Sequence, residues 1–543
     1  MAPAQNTADT VYHLHGSVVN GVTGRPIGRA LVVSSDRRLA TMTNAEGQFT
    51  LDVSVPAAPA VQATGSTTPV VITGANMLRG LLSGGISFSA QRPGYLPSRQ
   101  GTLIALDATA NTGNVVLRLL PAASIRGQIT ANGAESLRGL RVELLRRSVQ
   151  DGRFRWQMAG VRPLSADGSF LITDLQPGEY TVATSEWSPQ MFNLTATPTV
   201  SEQYPPDFLG DTRTLDGATK LHLGYGQPAR ANLHLHTAPY YSVTIPVQGL
   251  PPNSPVNVRV SSGTGFQLYQ LGWNNRNGAV EGALPDGDYV VTVSTFGQQH
   301  AAAQIPLHVA GAAILHAPAG LTPTQDIPVS VRDERTQTGS GASVYAGPAQ
   351  AQNSPGFFLS IRPEDTESGG GGMMQNTTNG PMLQNMMPGR YFVQGNAMGR
   401  GYIAAMTSDG VNLMTQALVV NDSGHTAPVE VTLRDDSGII AGTVDFRSTG
   451  LQAARVLILP TDGSGHVLYS YVTSAGKFEQ GNVPPGSYRV FAMPADQTDT
   501  LPYLDAQAMR TYDAKGGAVT VTAGQTAQVQ AELVGLDGTG VQP

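Results

Sequence analysis

Apolar and polar residues alternate along most of this chain in short runs, and Gly, Pro, Asn and Asp punctuate the runs. Alternation with period two marks strands that bury one face, and such punctuation marks tight turns. Phe170 and Ile172 share one face in this way, and so do Tyr180 and Val182. Helical periodicity is weak throughout, with one short helix expected at residues 75–82. Two stretches read as surface loops: 57–69, rich in Ala, Thr and Pro, and 368–372, just ahead of Met373 and Met374.

One pattern of strand, turn and strand recurs four times. It runs from Gly168-Ser-Phe170 to Pro177-Gly178-Glu-Tyr180, and from Gly278-Ala-Val280 to Pro285-Asp286-Gly287-Asp-Tyr289. It returns from Gly380-Pro-Met382 to Pro388-Gly389-Arg-Tyr391, and from Gly476-Lys-Phe478 to Pro485-Gly486-Ser-Tyr488. First Gly and Tyr are 12, 11, 11 and 12 residues apart, and successive tyrosines are 109, 102 and 97 apart. A period near one hundred residues suits a β-sandwich, not a solenoid or propeller unit. The Pro-Gly pair is expected to form a type II turn, and the tyrosine to fill the core with its hydroxyl bonded near the sheet edge.

The expected fold is therefore all-β: a tandem array of about five immunoglobulin-like or transthyretin-like sandwiches. The first spans 1–121, with an insertion at 56–85. Modules at 122–238, 239–325 and 326–434 follow, the last of these with a Gly/Met-rich loop, and 435–543 closes the chain.

Composition narrows the function. The 63 glycines and 37 prolines, close to a fifth of 543 residues, fit a turn-rich chain. Only 13% of residues are charged and the formal charge is −6, so Ser, Thr, Asn and Gln must wet the surface. Lys220, Lys477 and Lys515 are the only lysines, and no basic cluster offers a nucleic-acid footprint. With no cysteine, disulfides and thiolate sites are excluded. No apolar run is long enough for a transmembrane helix. Residues 1–6 lack the apolar centre of a signal peptide, so the chain is either cytoplasmic or a mature form behind an added Met. The neutral, Thr-rich composition favours the second.

The first module resembles the carboxypeptidase regulatory-like domain family. The likeness lies in Gly16-Ser-Val18, Thr23-Gly24-Arg-Pro26-Ile-Gly28-Arg-Ala30, Thr41-Met-Thr43-Asn-Ala-Glu-Gly47-Gln-Phe49 and Arg92-Pro-Gly94-Tyr95. The last module is similar but looser, in Gly442-Thr-Val444, Ala454-Arg-Val456 and the motif from Gly476 to Val490. The resemblance implies a transthyretin-like, carbohydrate-binding-like sandwich used as an accessory module on secreted or surface proteins of bacteria. It implies no activity of its own.

Candidate chemistry is sparse. No histidine has Glu three positions later, as a zinc carboxypeptidase site needs, and no His-Glu-x-x-His, nucleophile elbow or phosphate loop occurs. His13 and His15, and His234 and His236, each share a strand face, and His222 is expected across a hairpin from the second pair. Either His222, His234 and His236 converge on a divalent metal, or the flanking leucines face the core and the imidazoles face water. Trp273 with Asn274 and Asn275, and separately Trp187, are candidate ligand platforms. No cofactor is expected.

The expectation is a non-catalytic secreted or cell-surface scaffold with structural or adhesive duties, extracellular or periplasmic. Its partners are proteins or further copies of itself, joined through sheet edges or by residues 8–18 or those after Val534 acting as a donated strand. The alternatives are a carbohydrate-binding surface protein, or an accessory subunit of an outer-membrane receptor or secreted enzyme.

Overall fold

The computed structural model describes residues 10–534 apart from 56–84, 97–101, 106–113, 187–199, 337–355, 365–371, 446–453, 496–500 and gaps of one to four residues. The expected helix at 75–82, the loop at 57–69, almost all of 368–372, Trp187 and the segment after Val534 lie outside the described residues. The chain divides into two compact units. One is residues 1–127 with 171–179 and 221–231; the other is 128–170 with 180–220 and 232–543.

The fold is nearly all β and forms tandem β-sandwiches, as the alternation predicted. One topology recurs. The opening strand of each module lies inside a sheet, between an antiparallel neighbour and a parallel one. Thr10–Asn20 pairs with Gln48–Val55 and, in parallel, with Asn114–Leu119. Ala123–Asn132 neighbours Ser169–Leu175 and runs parallel to Pro228–Arg230 and Leu233–His236. Ala238–Gln248 lies between Ala279–Pro285 and two short parallel strands, Ile314–Leu315 and Ala319–Gly320. Gln325–Asp333 joins Gly380–Met386 to Val429–Arg434, and Gly438–Val444 joins Lys477–Val483 to Thr526–Ala531. Of residues 10–18, His15 to Val18 have a neighbour on both sides, whereas Thr10 to Leu14 pair only with Leu51 to Val55.

The repeated motif is the passage between sheets. Ala279–Pro285 ends one sheet's run, and Gly287–Thr295 continues in the other sheet beside Val256–Ser261. The same passage connects Gly380–Met386 to Gly389–Ala397 and Lys477–Val483 to Gly486–Pro494. The turn glycines Gly178, Gly287, Gly389 and Gly486 have φ of 152, 156, 150 and 159°. This is far from the roughly +80° of a type II turn, so the expected turn type is wrong. A positive φ this large is rarely adopted by residues with a side chain, and at Gly287, Gly389 and Gly486 the ring two residues on lies over the glycine. A Cβ on Gly287 would stand 3.0 Å from the Tyr289 hydroxyl oxygen.

In the third, fourth and fifth modules the tyrosine hydroxyl bonds the carbonyl four residues earlier. Tyr289 donates to Pro285 at 2.9 Å, Tyr391 to Met387 at 2.9 Å and Tyr488 to Pro484 at 2.7 Å. The buried ring glues the sheets, and its polar tip satisfies a carbonyl that the sheet change strands. This is the geometry of the tyrosine corner of immunoglobulin-like sandwiches. Just before the turn, Asp174, Asn385 and Asn482 take left-handed φ of 61, 58 and 55°. In the fourth and fifth modules a register shift, a β-bulge, falls at the same place.

The leading glycine of the motif closes the preceding hairpin. Gly47, Gly168, Gly278 and Gly476 have φ of 73, 79, 61 and 78°, and their carbonyls accept from Val18, Ile129, Val247 and Val444 at 2.7–2.9 Å. First-module Gly47 thus does the same work without the Pro-Gly-Tyr signature.

Within the second unit one core serves two modules. Leu145, Ala183, Phe208 and Ala218 pack with third-module residues such as Ile245 and Val291. Leu140–Gln150 consequently has four consecutive buried residues, the mark of a strand covered on both faces. Val200–Gln203, expected within 122–238, pairs with Tyr241 to Ala238 of the third module's opening strand.

Burial pushes the Tyr391 and Tyr488 hydroxyls up to about 12. Their ordinary value is near 10. Their contribution to stability is whole below pH ~10 and is lost as pH rises towards ~12, about 2–3 kcal/mol for each. Chemical denaturation between pH 9 and 12 is expected to show a shallower alkaline loss for the Tyr391→Phe, Tyr488→Phe double variant. At pH 7 each single variant should cost about 1 kcal/mol, the worth of one buried hydrogen bond.

Candidate functional site

Leu233–His236 is a four-residue strand whose leucines are buried while His234 and His236 point towards solvent. The two imidazoles meet edge to face, with ring centres 4.9 Å apart. Nδ1 of His234 lies 2.8 Å from Thr130 Oγ1, and the His234 backbone N–H donates to Asp211 at 3.2 Å. Leu221–Leu223, which carries His222, neighbours Gly178–Glu186 at the edge of its sheet, whereas Leu233–His236 pairs with Ala123–Asn132. No hairpin therefore joins His222 to His234 and His236. Among the described residues, no three His, Cys, Asp or Glu side chains stand where they could hold a metal. His13 of the other pair is used by Asp52, 2.7 Å away on the neighbouring strand, and both are exposed.

The unusual group here is Asp207, which the sequence did not flag. Its backbone exchanges two hydrogen bonds with Thr184: Thr184 N–H donates to its carbonyl, and its own N–H donates to Thr184 Oγ1, both at 2.9 Å. This locks the carboxyl inside, at 7% exposure, next to Phe208 of the shared core. Burial raises the Asp207 carboxyl to about 6, with Asp211 adding to the rise. Arg213, whose Nε is 3.8 Å away, and His236 oppose it. Phe208, the next residue, is itself buried in the shared core.

Glu143 is the second buried carboxyl. Ser185 donates to its Oε1 at 2.5 Å, its Oε2 has no hydrogen-bond partner, and burial pushes its protonation upward. A carboxyl in this state favours its neutral form.

The Trp273 loop is built from its own side chains. Gly272–Asn274 pairs with Ala279–Pro285, setting Trp273 opposite Val280, and the ring is partly buried against the shared core. Its Nε1–H donates to Asn275 Oδ1 at 2.5 Å. Asn274 and Asn277 each donate an amide N–H to Glu281, at 2.8 and 2.7 Å, and Asn274 Oδ1 accepts the Arg276 N–H at 2.9 Å. Sequence reasoning found the ring and the amides but missed Glu281, the acceptor that engages two of them from the adjacent strand. These bonds tie the loop's side chains to one another and to Glu281 on the adjacent strand.

No protein-family model matches the chain, so the carboxypeptidase regulatory-like resemblance stands without support, and no curated protein matches it either. Solved structures align with it only loosely. A streptococcal ancillary pilin is 11% identical, covering 58% of this chain and 98% of its own, with a TM-score of 0.18. The Bacillus anthracis TIE protein is 12% identical over 79% of each chain, with a TM-score of 0.14. BcpA, the major pilin subunit of Bacillus cereus, is 11% identical over 76% of this chain and 99% of its own, with a TM-score of 0.13. Scores this low carry no argument about function. No helix among the described residues is long and apolar enough to cross a membrane.

The Asp207 carboxyl generates a pH test. A raised value means that its burial is favourable below pH ~4 and that the advantage is lost as pH rises through about 6, on the order of 3 kcal/mol in all. Asp207→Asn should therefore be the more stable protein at pH 8 and close to the parent at pH 4. Urea denaturation at the two pH values checks this; a variant that is weaker at pH 8 would contradict it.

Proposed function

We propose that this chain is a non-catalytic, load-bearing scaffold that works at the bacterial cell surface or in the extracellular space. One observation carries the reading: the parallel pairing of opening and closing strands in every module. In the last module the ladder runs from Ile439 opposite Thr526 to Val444 opposite Ala531. The chain enters at one end of that ladder and leaves at the other. Tension along the chain therefore loads the hydrogen bonds together, in shear, and cannot unzip them one at a time. The first and fourth modules have the same geometry over six and five residue pairs. The third has only two short parallel segments and should yield first.

A scaffold of this kind meets its partners through surfaces, and its open sheet edges are where further copies or other proteins would add. Leu468–Tyr471 is such an edge, with Tyr471 67% exposed. Assembly into filaments or lattices belongs to this proposal.

Single-molecule stretching of the whole chain tests the mechanical reading. Distinct force peaks are expected, the weakest assigned to the third module. Val529, whose carbonyl faces Gly442, sits in the middle of the last ladder. Val529→Pro removes a ladder N–H and should lower or abolish one strong peak while leaving the others. Extension without resolvable peaks would sink the reading.

A further inference from the structure

The second module's long hairpin reaches far along the chain. Leu140–Gln150 and Arg153–Pro163 form this hairpin, and its tip is Gly152, with φ of 73°. The Gly152 carbonyl accepts the backbone N–H of Leu504 at 2.7 Å. The ring of Tyr503 lies on the glycine itself: a Cβ there would stand 2.5 Å from two ring carbons. Behind the ring is a firm support. Tyr503 packs on the apolar cluster that includes Leu459, Phe491, Met493 and Met509, on the sheet of the last module. The connection that presents it, between Gly486–Pro494 and Gly517–Val521, is pinned by the short helix Ala506–Met509. Asp505 caps that helix by accepting the N–H groups of Gln507 and Ala508.

The hairpin's outer strand makes a second contact, with the fourth module. Residues two apart on a strand share a side. Arg153 places its guanidinium 5.9 Å from the centre of the Phe392 ring, and Arg155 donates twice to the Glu364 carbonyl at 3.3 Å. Glu364 is held in turn by Arg390, through a 2.5 Å ion pair and a backbone bond. The alternating Arg153-Phe-Arg155-Trp segment thus has a use that its aromatics do not explain.

We infer that this hairpin is a clasp within the chain, closing the second module onto the fourth and fifth, with Gly152 under Tyr503 as the catch. The parts in contact are more than two hundred residues apart in sequence, so the modules from the second onward are not independent beads. Each contact is modest: one backbone bond, one ring on a glycine, one cation over a ring and one arginine on a carbonyl. The clasp can therefore open while the sandwiches stay folded. This inference does not rest on the load-bearing reading, since a chain of any function could be clasped in this way.

The absence of cysteine makes the test clean. Gln150→Cys and Leu504→Cys are introduced together in the full chain and treated with a short bismaleimide at low protein concentration. Peptide mass spectrometry of the monomeric product should find the two cysteines joined within one chain. Tyr503→Ala, which leaves the hairpin untouched, should reduce the yield by about tenfold, the effect of losing roughly 1.4 kcal/mol of contact. Gly152→Leu should do at least as much, because its side chain would meet the ring. Far-ultraviolet circular dichroism should show both variants still folded. Joining only between chains, no joining at all, or a yield unchanged in both variants would each overturn the clasp.

Discussion

The architecture depends on one crossing, at which the chain leaves one sheet for the other without stranding a buried backbone group. A glycine at large positive φ makes the step short, and the tyrosine two residues later covers it and returns a hydrogen bond to the carbonyl four residues back. An unsatisfied buried carbonyl would cost as much as the ring's burial gains in part, so ring and hydroxyl act as one device. The left-handed Asp or Asn just before the turn re-aims the strand into it. With the crossing fixed, the opening strand is placed centrally, and the closing strand has one open neighbour, in parallel.

Repetition of this unit does not make the modules equal. The second and third share a core, so Leu145 and Ala183 are buried on the side of their sheet that a free sandwich would wet. The last module covers the outside of its sheet with its own connection, which leaves Tyr503 at its surface for the hairpin tip. Sheets closed on both faces bury polar groups as well as apolar ones, and several of these are paired: Thr181 with Thr219, Thr184 with Asp207, and Ser185 with one oxygen of Glu143. The two carboxyls left in these dry places are the ones whose protonation burial favours.

The same pairing runs through the side chains that the sequence singles out. Glu281 engages Asn274 and Asn277, Asn275 takes the indole N–H of Trp273, and Asp52 takes His13.

Much of this was legible from residues alone. Period-two alternation, the near-hundred-residue spacing of Pro-Gly-x-Tyr and the lack of cysteine specified a tandem all-β chain, because strand faces and tight turns are set locally by side-chain type. The buried tyrosines were legible for the same reason. Other features were decided only by tertiary structure. The turn at Gly178 and its equivalents is not type II, because its two strands lie in different sheets. Leu221–Leu223 neighbours Gly178–Glu186 and not Leu233–His236, because a three-residue strand carries too little pattern to declare its neighbour. Val200–Gln203 joins the following module for the same reason. Asp207, Glu281 and the Gly152–Tyr503 contact depend on groups far apart in sequence, and burial by a distant part of the chain leaves no mark on local alternation.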